Sequence, residues 1–240
     1  MRRVILLLVV MAATLVVASG VALAVNKIGT NGPDTLRGTN GDDNLLGKGG
    51  NDVLFGLGGR DNLLGGEGKD WVLGGNERRP LGGDKNLVGG PGNDGVFGGK
   101  GSDNLLGGSG NDFVAGGNDS DSAVGDEGRD LVNGERGSDR VVGGDGPDWL
   151  VDGPFRETDK DTLSGGDGDD VFFVDNRPAT RDVVTCGGGF DRVAADTKDV
   201  VAPDCEEVDT GPTAGEDLFE QLEELGFFEI FEGLAPFPQG

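Results

Sequence analysis

The sequence predicts an all-β fold, a solenoid made of short strands and glycine-rich turns. Glycine supplies 49 of the 240 residues, and from Gly29 onward the chain divides into nine-residue blocks that share one pattern. Thirteen complete blocks are present: five starting at Gly29, seven starting at Gly89 and one at Gly165. Position 1 of every block is Gly, position 6 is Asp and position 8 is apolar, which marks a structural repeat.

Each block is predicted to form one turn and one short strand. Positions 1 to 6 combine Gly with Asn, Asp and Ser, which favour tight turns, while positions 7 to 9 contain strand-forming Leu, Val and Phe. Side chains alternate along a strand, so position 8 should face the core, and only stacked blocks can bury it. The predicted core residues are Leu36, Leu45, Leu54, Leu63, Val72, Val96, Leu105, Val114, Ala123, Val132, Val141, Leu150 and Phe172.

Composition excludes several classes of protein. The net charge of −24 would repel a phosphate backbone, so we expect no nucleic-acid partner. The absence of histidine from the sequence excludes a His-based triad and His metal ligands. An acidic, glycine-rich spacer without a fold is the alternative to the solenoid. It is disfavoured because a disordered chain does not require an apolar residue two places after every Asp.

The Asp at position 6 predicts a series of cation sites. Carboxylates repeated at a fixed spacing, together with turn carbonyls, form oxygen clusters that hard divalent cations prefer. Flexible turns suit the six to eight ligands of calcium better than the strict octahedron of magnesium, and softer metals lack His or paired thiolates. The predicted ligands are Asp34, Asp43, Asp52, Asp61, Asp70, Asp94, Asp103, Asp112, Asp121, Asp130, Asp139, Asp148, Asp161 and Asp170.

The blocks resemble the consensus G-G-x-G-x-D-x-U-x of the haemolysin-type, or repeats-in-toxin (RTX), calcium-binding nonapeptide, in the form seen in exported bacterial proteins. The resemblance implies a right-handed parallel β-roll over residues 25–173, in which two blocks make one coil. It also implies that calcium lies between the turns of blocks n and n+2, held by the position-6 Asp and turn carbonyls. The two unbroken runs would then enclose about eight ions, three in the first and five in the second.

Two breaks interrupt the repeat, at 74–88 and at 152–164. In the first break, counting from the flanking blocks puts Arg79 and Lys85 at position 6. One hypothesis is that these cations replace a lost calcium ion; the alternative is a surface loop that has drifted from the pattern. The second break ends in register, with Asp161 at position 6 and Leu163 at position 8, and is predicted to bulge from one turn.

The two ends of the chain lie outside the repeat. Residues 1–24 combine two arginines, an apolar run and an A-x-A site, which predicts a cleaved signal peptide; an uncleaved anchor is the alternative. Residues 174–208 are predicted to cap the roll, closed by a disulfide between Cys186 and Cys205, the two cysteines of an exported chain. Residues 209–240 are predicted to be an acidic tail, a short amphipathic helix that docks on the roll or stays mobile.

These features together predict a secreted calcium-binding protein that folds on extracellular calcium and has a structural or interaction role, with a cell-surface or matrix partner as one option. No membrane insertion is expected after signal cleavage. The repeats leave no room for a catalytic domain, so the chain is predicted not to be an enzyme. The alternative is a calcium-dependent extracellular enzyme, or a toxin-related accessory protein of the RTX type.

Overall fold

A computed structural model describes residues 24–76, 83–84, 86–153, 159–174 and 180–211. Three parts of the chain with predictions of their own lie outside the described residues. They are the predicted signal peptide except for its last residue, the pair Arg79 and Lys85, and most of the acidic tail. Every regular element in the described part of the chain is a β-strand. Over these same residues, no helix has the length and apolar character needed to cross a membrane.

Twenty strands form two parallel sheets of ten strands each, and successive strands alternate between the sheets. The first sheet contains the odd-numbered strands in chain order: β1 (Asn26–Ile28), β3 (Asn44–Gly49), β5 (Asn62–Glu67), β7 (Asn86–Pro91), β9 (Asn104–Ser109), β11 (Ser122–Glu127), β13 (Arg140–Asp145), β15 (Thr162–Asp167), β17 (Val183–Gly188) and β19 (Val200–Val201). The second contains the even-numbered strands: β2 (Thr35–Arg37), β4 (Val53–Leu57), β6 (Trp71–Asn76), β8 (Gly95–Lys100), β10 (Phe113–Asn118), β12 (Leu131–Arg136), β14 (Trp149–Val151), β16 (Val171–Val174), β18 (Arg192–Ala195) and β20 (Glu207–Asp209). This is the predicted all-β roll, with two blocks per coil.

The register of the sheets follows from the nine-residue period. Each strand pairs with the strand two blocks later, so Leu45 is opposite Leu63 and Val114 is opposite Val132. The position-8 side chains therefore stack directly above one another between the sheets. Twelve of the thirteen predicted core residues are buried, and Leu36, on the second strand, is partly buried against the same cluster. The prediction of the core is confirmed.

Neither break disturbs this register. Across the first break Leu63 pairs with Leu87, and across the second Val141 pairs with Leu163. Leu87 and Leu163 are both fully buried, so each break adds chain length without removing a core position. The strands on either side of each break keep their register, because register is set by the apolar residue that enters the core.

The region predicted to cap the roll, 174–208, continues the two sheets. Strands β17 to β20 pair in parallel with the coils before them, and Val184 and Val193 extend the buried column. The predicted disulfide is present: Cys186 and Cys205 are bonded, their Cα atoms are 5.3 Å apart, and Cys186 is fully buried. The cross-link therefore closes the last coils of the roll itself.

Candidate metal sites

The position-6 aspartates lie on the inner side of the turns, along the two edges of the roll. Each turn is short because glycine at position 4 adopts a positive φ, as at Gly110 (φ 134°), where L side chains are strained. Beyond the turn the Asp precedes the next strand, and its side chain points inward. Asp112 and Asp130 are 0% exposed, so the turns place carboxylates where water does not reach.

Hydrogen bonds join these aspartates into two ladders, one along each edge. The backbone N–H of each Asp donates to Oδ1 of the Asp in the next coil; from Asp112 to Asp130, for example, the N···O distance is 2.8 Å. The first ladder contains Asp43, Asp61, Asp84, Asp103, Asp121, Asp139, Asp161, Asp182 and Asp199. The second contains Asp34, Asp52, Asp70, Asp94, Asp112, Asp130, Asp148, Asp170 and Asp191, followed by Glu206.

In eleven of the ladder aspartates, the second carboxylate oxygen has no hydrogen-bond donor. Among the described residues, Oδ2 is buried and unpartnered in Asp52, Asp61, Asp70, Asp94, Asp112, Asp121, Asp130, Asp139, Asp148, Asp170 and Asp191. Buried polar atoms in proteins are almost always satisfied, and an unsatisfied oxygen costs about 1–3 kcal/mol. A column of such oxygens is therefore chemically suited to bind a cation.

Glycine at position 1 makes room for these oxygens. A Cβ added at Gly107 would lie 2.5 Å from Asp112 Oδ2 and 2.7 Å from the carbonyl oxygen of Gly125 in the next coil. The same arrangement recurs at Gly89, with Asp94 Oδ2 at 2.5 Å and the carbonyl oxygen of Gly107 at 2.6 Å. The orphaned oxygen and a backbone carbonyl of the adjacent coil thus border the same space, which only glycine leaves open.

Burial raises the pKa of several ladder aspartates, among them Asp61, Asp112 and Asp121. Loss of hydration is the main cause, and neighbouring carboxylates add to it, so the pKa of Asp112 rises to about 8 and that of Asp121 to about 9. The pKa of Asp61, near the first coils, rises to about 6. In each case a backbone N–H hydrogen bond opposes the shift without cancelling it. A negative charge on Asp112 or Asp121 at neutral pH therefore costs free energy.

The donor set suits a hard cation. Over the described ranges, no group of three or more His, Cys, Asp or Glu side chains is arranged to hold a metal. The donors that the ladders offer are instead one carboxylate oxygen per turn together with backbone carbonyls. Oxygen-only ligands on flexible turns are typical of calcium and are poor ligands for softer metals. The orphaned Oδ2 atoms and the space at position 1 are thus compatible with calcium.

The ladders correct one prediction from the sequence. The position assigned to Lys85 by counting is occupied by Asp84, one residue earlier. Asp84 accepts from the N–H of Asp61 at 2.8 Å and donates to Asp103, and it is 2% exposed. No ladder position is lost at the first break, so the premise that position 6 lacks an Asp there is wrong; Arg79 and Lys85 themselves lie outside the described residues.

The structure also adds residues that the predicted ligand set omitted. Asp182, Asp191 and Asp199 continue the ladders into the C-terminal coils, and Glu206 ends the second one. The signal was present in the sequence, since each of these three aspartates is followed two places later by valine, as in the regular blocks. The fourteen predicted aspartates all lie on the ladders.

Comparison with known proteins agrees with this geometry. The model of the RTX calcium-binding nonapeptide repeat matches residues 28–63, 46–77, 82–114, 115–150 and 157–176, more than half of the chain. No curated protein matches the chain. The matched segments cover nearly all of the coils whose aspartates form the two ladders, and they end where the spacing of the blocks becomes irregular. The chain therefore belongs to the RTX family of calcium-binding nonapeptide repeat proteins.

Proposed function

We propose that this protein is a secreted calcium-binding roll that folds outside the cell and serves a structural or interaction role. The observation that supports this proposal is the column of buried, unpartnered Oδ2 atoms along each edge. Every one of these oxygens lies on a turn whose other carboxylate oxygen is already used by the ladder. One oxygen of each of these buried carboxylates is therefore available to a cation.

The residues that would hold calcium follow from the ladder geometry. At an interior turn such as that of Asp112, Oδ1 is committed to the N–H of Asp94, which leaves Oδ2 as the ligand. Carbonyl oxygens of the adjacent coil, such as that of Gly125, border the same space and would complete the shell. Calcium supplies positive charge and a large, flexible coordination sphere at such a site.

Charge balance links calcium to folding and to export. Without a cation, stacking the coils brings buried carboxylates together, which opposes folding because each charge loses its hydration. Binding free energy then becomes folding free energy. A chain of this kind would remain unfolded at the low calcium of the cytosol and fold after export. We therefore propose that residues 1–24 direct secretion.

The number of ions follows from the continuity of the ladders. The estimate of about eight ions treated the two runs of blocks as separate. The ladders instead pass through both breaks, from Asp61 to Asp84 and from Asp139 to Asp161. We propose that sites continue across the breaks, so that the chain binds more than eight ions. We also propose that the roll is not catalytic, because its buried carboxylates already have a use in cation binding.

Calorimetric titration with calcium, followed in parallel by far-UV circular dichroism, tests the proposal. The expected result is uptake of many ions per chain together with a gain of strand signal, reversed by a chelator. Magnesium at the same concentration is the matched control and is expected to produce a much smaller change. A spectrum that is already folded in chelator and does not respond to calcium would contradict the proposal.

A further inference from the structure

The first turn of each ladder differs from the interior turns. At the first turn, Asp34 Oδ2 accepts hydrogen bonds from the N–H and Oγ1 of Thr30, at 2.5 and 2.9 Å. At the next, Asp43 Oδ2 accepts from the N–H and Oγ1 of Thr39, at 2.5 and 3.2 Å. The oxygen that is orphaned in Asp52 and Asp61 is thus satisfied here by the protein itself.

The identity of the residue at position 2 explains this difference. Thr30 and Thr39 stand at position 2 of their blocks, where most other blocks have Gly. Among the described non-glycine residues, Lys48 and Leu57 occupy position 2 with φ of 89° and 84°, whereas neither Thr has a positive φ. A β-branched side chain is strongly disfavoured in the left-handed region. Threonine therefore gives the turn another conformation, one in which both of its donors reach the Asp.

The far end of the first ladder is closed in a similar way. Asp199, its last member, accepts from the N–H of Asp182 on Oδ1 at 3.0 Å and from the N–H of Asp196 on Oδ2 at 2.7 Å. Both oxygens of this terminal carboxylate therefore have protein donors. The orphaned oxygens are confined to turns that have a coil on each side.

We propose that Thr30 and Thr39 replace calcium at the first turn of each ladder, so that the carboxylates which require calcium begin at Asp52 and Asp61. This inference rests on the proposed calcium binding and refines it. Oδ2 of Asp34 and Oδ2 of Asp43 each accept one N–H and one O–H hydrogen bond. These donors take the place that a cation would have at an interior turn. The roll would then begin with turns whose hydrogen bonding is complete in the absence of metal.

The test compares matched pairs of Asp→Asn substitutions, one from each ladder. We would measure bound calcium per chain at saturation by equilibrium dialysis and elemental analysis. The double variant Asp34→Asn/Asp43→Asn is expected to bind as much calcium as the wild type. Its interior counterpart, Asp112→Asn/Asp121→Asn, is expected to bind at least one ion fewer. Loss of the same number of ions from both pairs would overturn the inference.

A second variant keeps the inference testable if the interior pair does not fold. Thr30→Gly/Thr39→Gly installs the residue that most blocks have at position 2 and removes the hydroxyl donors. We expect this variant to bind more calcium than the wild type, and an unchanged count would overturn the inference. A wild-type chain that takes up no calcium would overturn the proposed function, and the inference with it. That outcome is distinct from calcium uptake that is lost equally from both pairs of aspartates.

Discussion

The interior coils, β4 to β16, and the C-terminal coils, β17 to β20, share one fold and differ in what holds them together. In the interior, the turn of Asp112 has a buried carboxylate with one oxygen unpartnered. In the C-terminal coils, Asp199 has donors on both oxygens, and the disulfide joins Cys186 to Cys205. If calcium binds as proposed, an ion stabilises the interior coils, whereas the C-terminal coils, in whose described residues only Asp191 still has a buried, unpartnered carboxylate oxygen, also have covalent and hydrogen bonds.

This comparison shows why the end of the roll needs its own means of stabilisation. An interior turn has a coil on each side, and both can contribute ligands to a cation. Within the described residues, the last coil has a neighbour on one side only, and its strands are shorter, with two residues in β19 and three in β20. The last coil thus has fewer backbone hydrogen bonds and fewer possible calcium ligands than an interior coil. A disulfide stabilises this coil without the need for another coil beside it.

The largest expected effect is on the pH dependence of the calcium-free interior. A carboxyl whose pKa rises on folding favours the folded state at low pH, and this contribution is lost as the pH rises through the folded value. For Asp112 and Asp148, with pKa raised from 3.8 to about 8, stability should fall between those limits. Each such group contributes up to about 1.4 kcal/mol per pH unit.

Far-UV circular dichroism of the calcium-free chain at about pH 5 and about pH 9 measures this effect, because a chain that is unfolded without calcium is expected to gain strand signal as its buried carboxyl groups are protonated. We expect greater stability at the lower pH, and a much weaker pH dependence once calcium is added. Amide hydrogen exchange would locate the loss of protection in the interior coils. A calcium-free chain that is equally stable at both pH values would show that the ladder carboxylates do not limit folding.

Removing the disulfide is expected to destabilise the C-terminal coils. The double variant Cys186→Ala/Cys205→Ala opens a loop with a sequence separation of 19, and the expected loss is about 3 kcal/mol. In calcium-loaded protein, hydrogen exchange should increase in β17 to β20 and remain slow in β8 to β12. Equal loss of protection along the whole roll would mean that the cross-link stabilises the interior as well.

A side chain at position 1 of an interior block should cost about 2 kcal/mol. Gly107→Ala places a Cβ 2.5 Å from Asp112 Oδ2 and 2.7 Å from the carbonyl oxygen of Gly125, and relieving the second contact requires the backbone of the next coil to shift. Gly188→Ala in the C-terminal coils is the matched control, because its Cβ would have only Asp167 Oδ1 within 4 Å, at 3.1 Å. Calcium affinity and thermal midpoint should fall for the first variant and change little for the second.

The smallest effect is expected from the ion pair on the C-terminal coils. Arg192 Nε lies 3.1 Å from Glu207 Oε2, and both side chains are exposed. Exposed pairs typically contribute less than about 1 kcal/mol. Arg192→Ala should therefore shift the urea midpoint only slightly, and raising the salt concentration should reduce the difference. A large loss would indicate that this surface pair matters as much as the buried carboxylates.

The regular part of the roll could be predicted from the sequence because the turn, the carboxylate and the core residue all repeat with the same period. Glycine at position 1, Asp at position 6 and an apolar residue at position 8 recur at a fixed spacing, so register, core and carboxylate columns follow together. The disulfide was also predictable, because only one pairing of two cysteines exists. These features depend on residue type and spacing alone.

The features that were missed depend on how a turn closes in three dimensions. Asp84 escaped notice because counting assigns position 6 to its neighbour Lys85, whereas the ladder selects the residue whose carboxylate reaches the next coil. The partnership of Thr30 with Asp34 depends on a turn conformation that block spacing does not reveal. Beyond residue 173 the block spacing is irregular, and an Asp followed two places later by valine is the remaining sign in the sequence that the sheets continue.

The constancy of the ladders across the breaks has a consequence for how such proteins evolve. Consecutive ladder aspartates are 18 residues apart in regular coils and 23 apart at Asp61 and Asp84, yet the hydrogen bond remains 2.8 Å in both cases, as it is between Asp43 and Asp61. The stack thus requires Asp and the core residue to re-enter it in register, and it tolerates different lengths of chain between them. Insertions can accumulate at turns without loss of the fold. Relatives of this chain are therefore better aligned on the Asp-x-apolar triplets than on blocks of equal length.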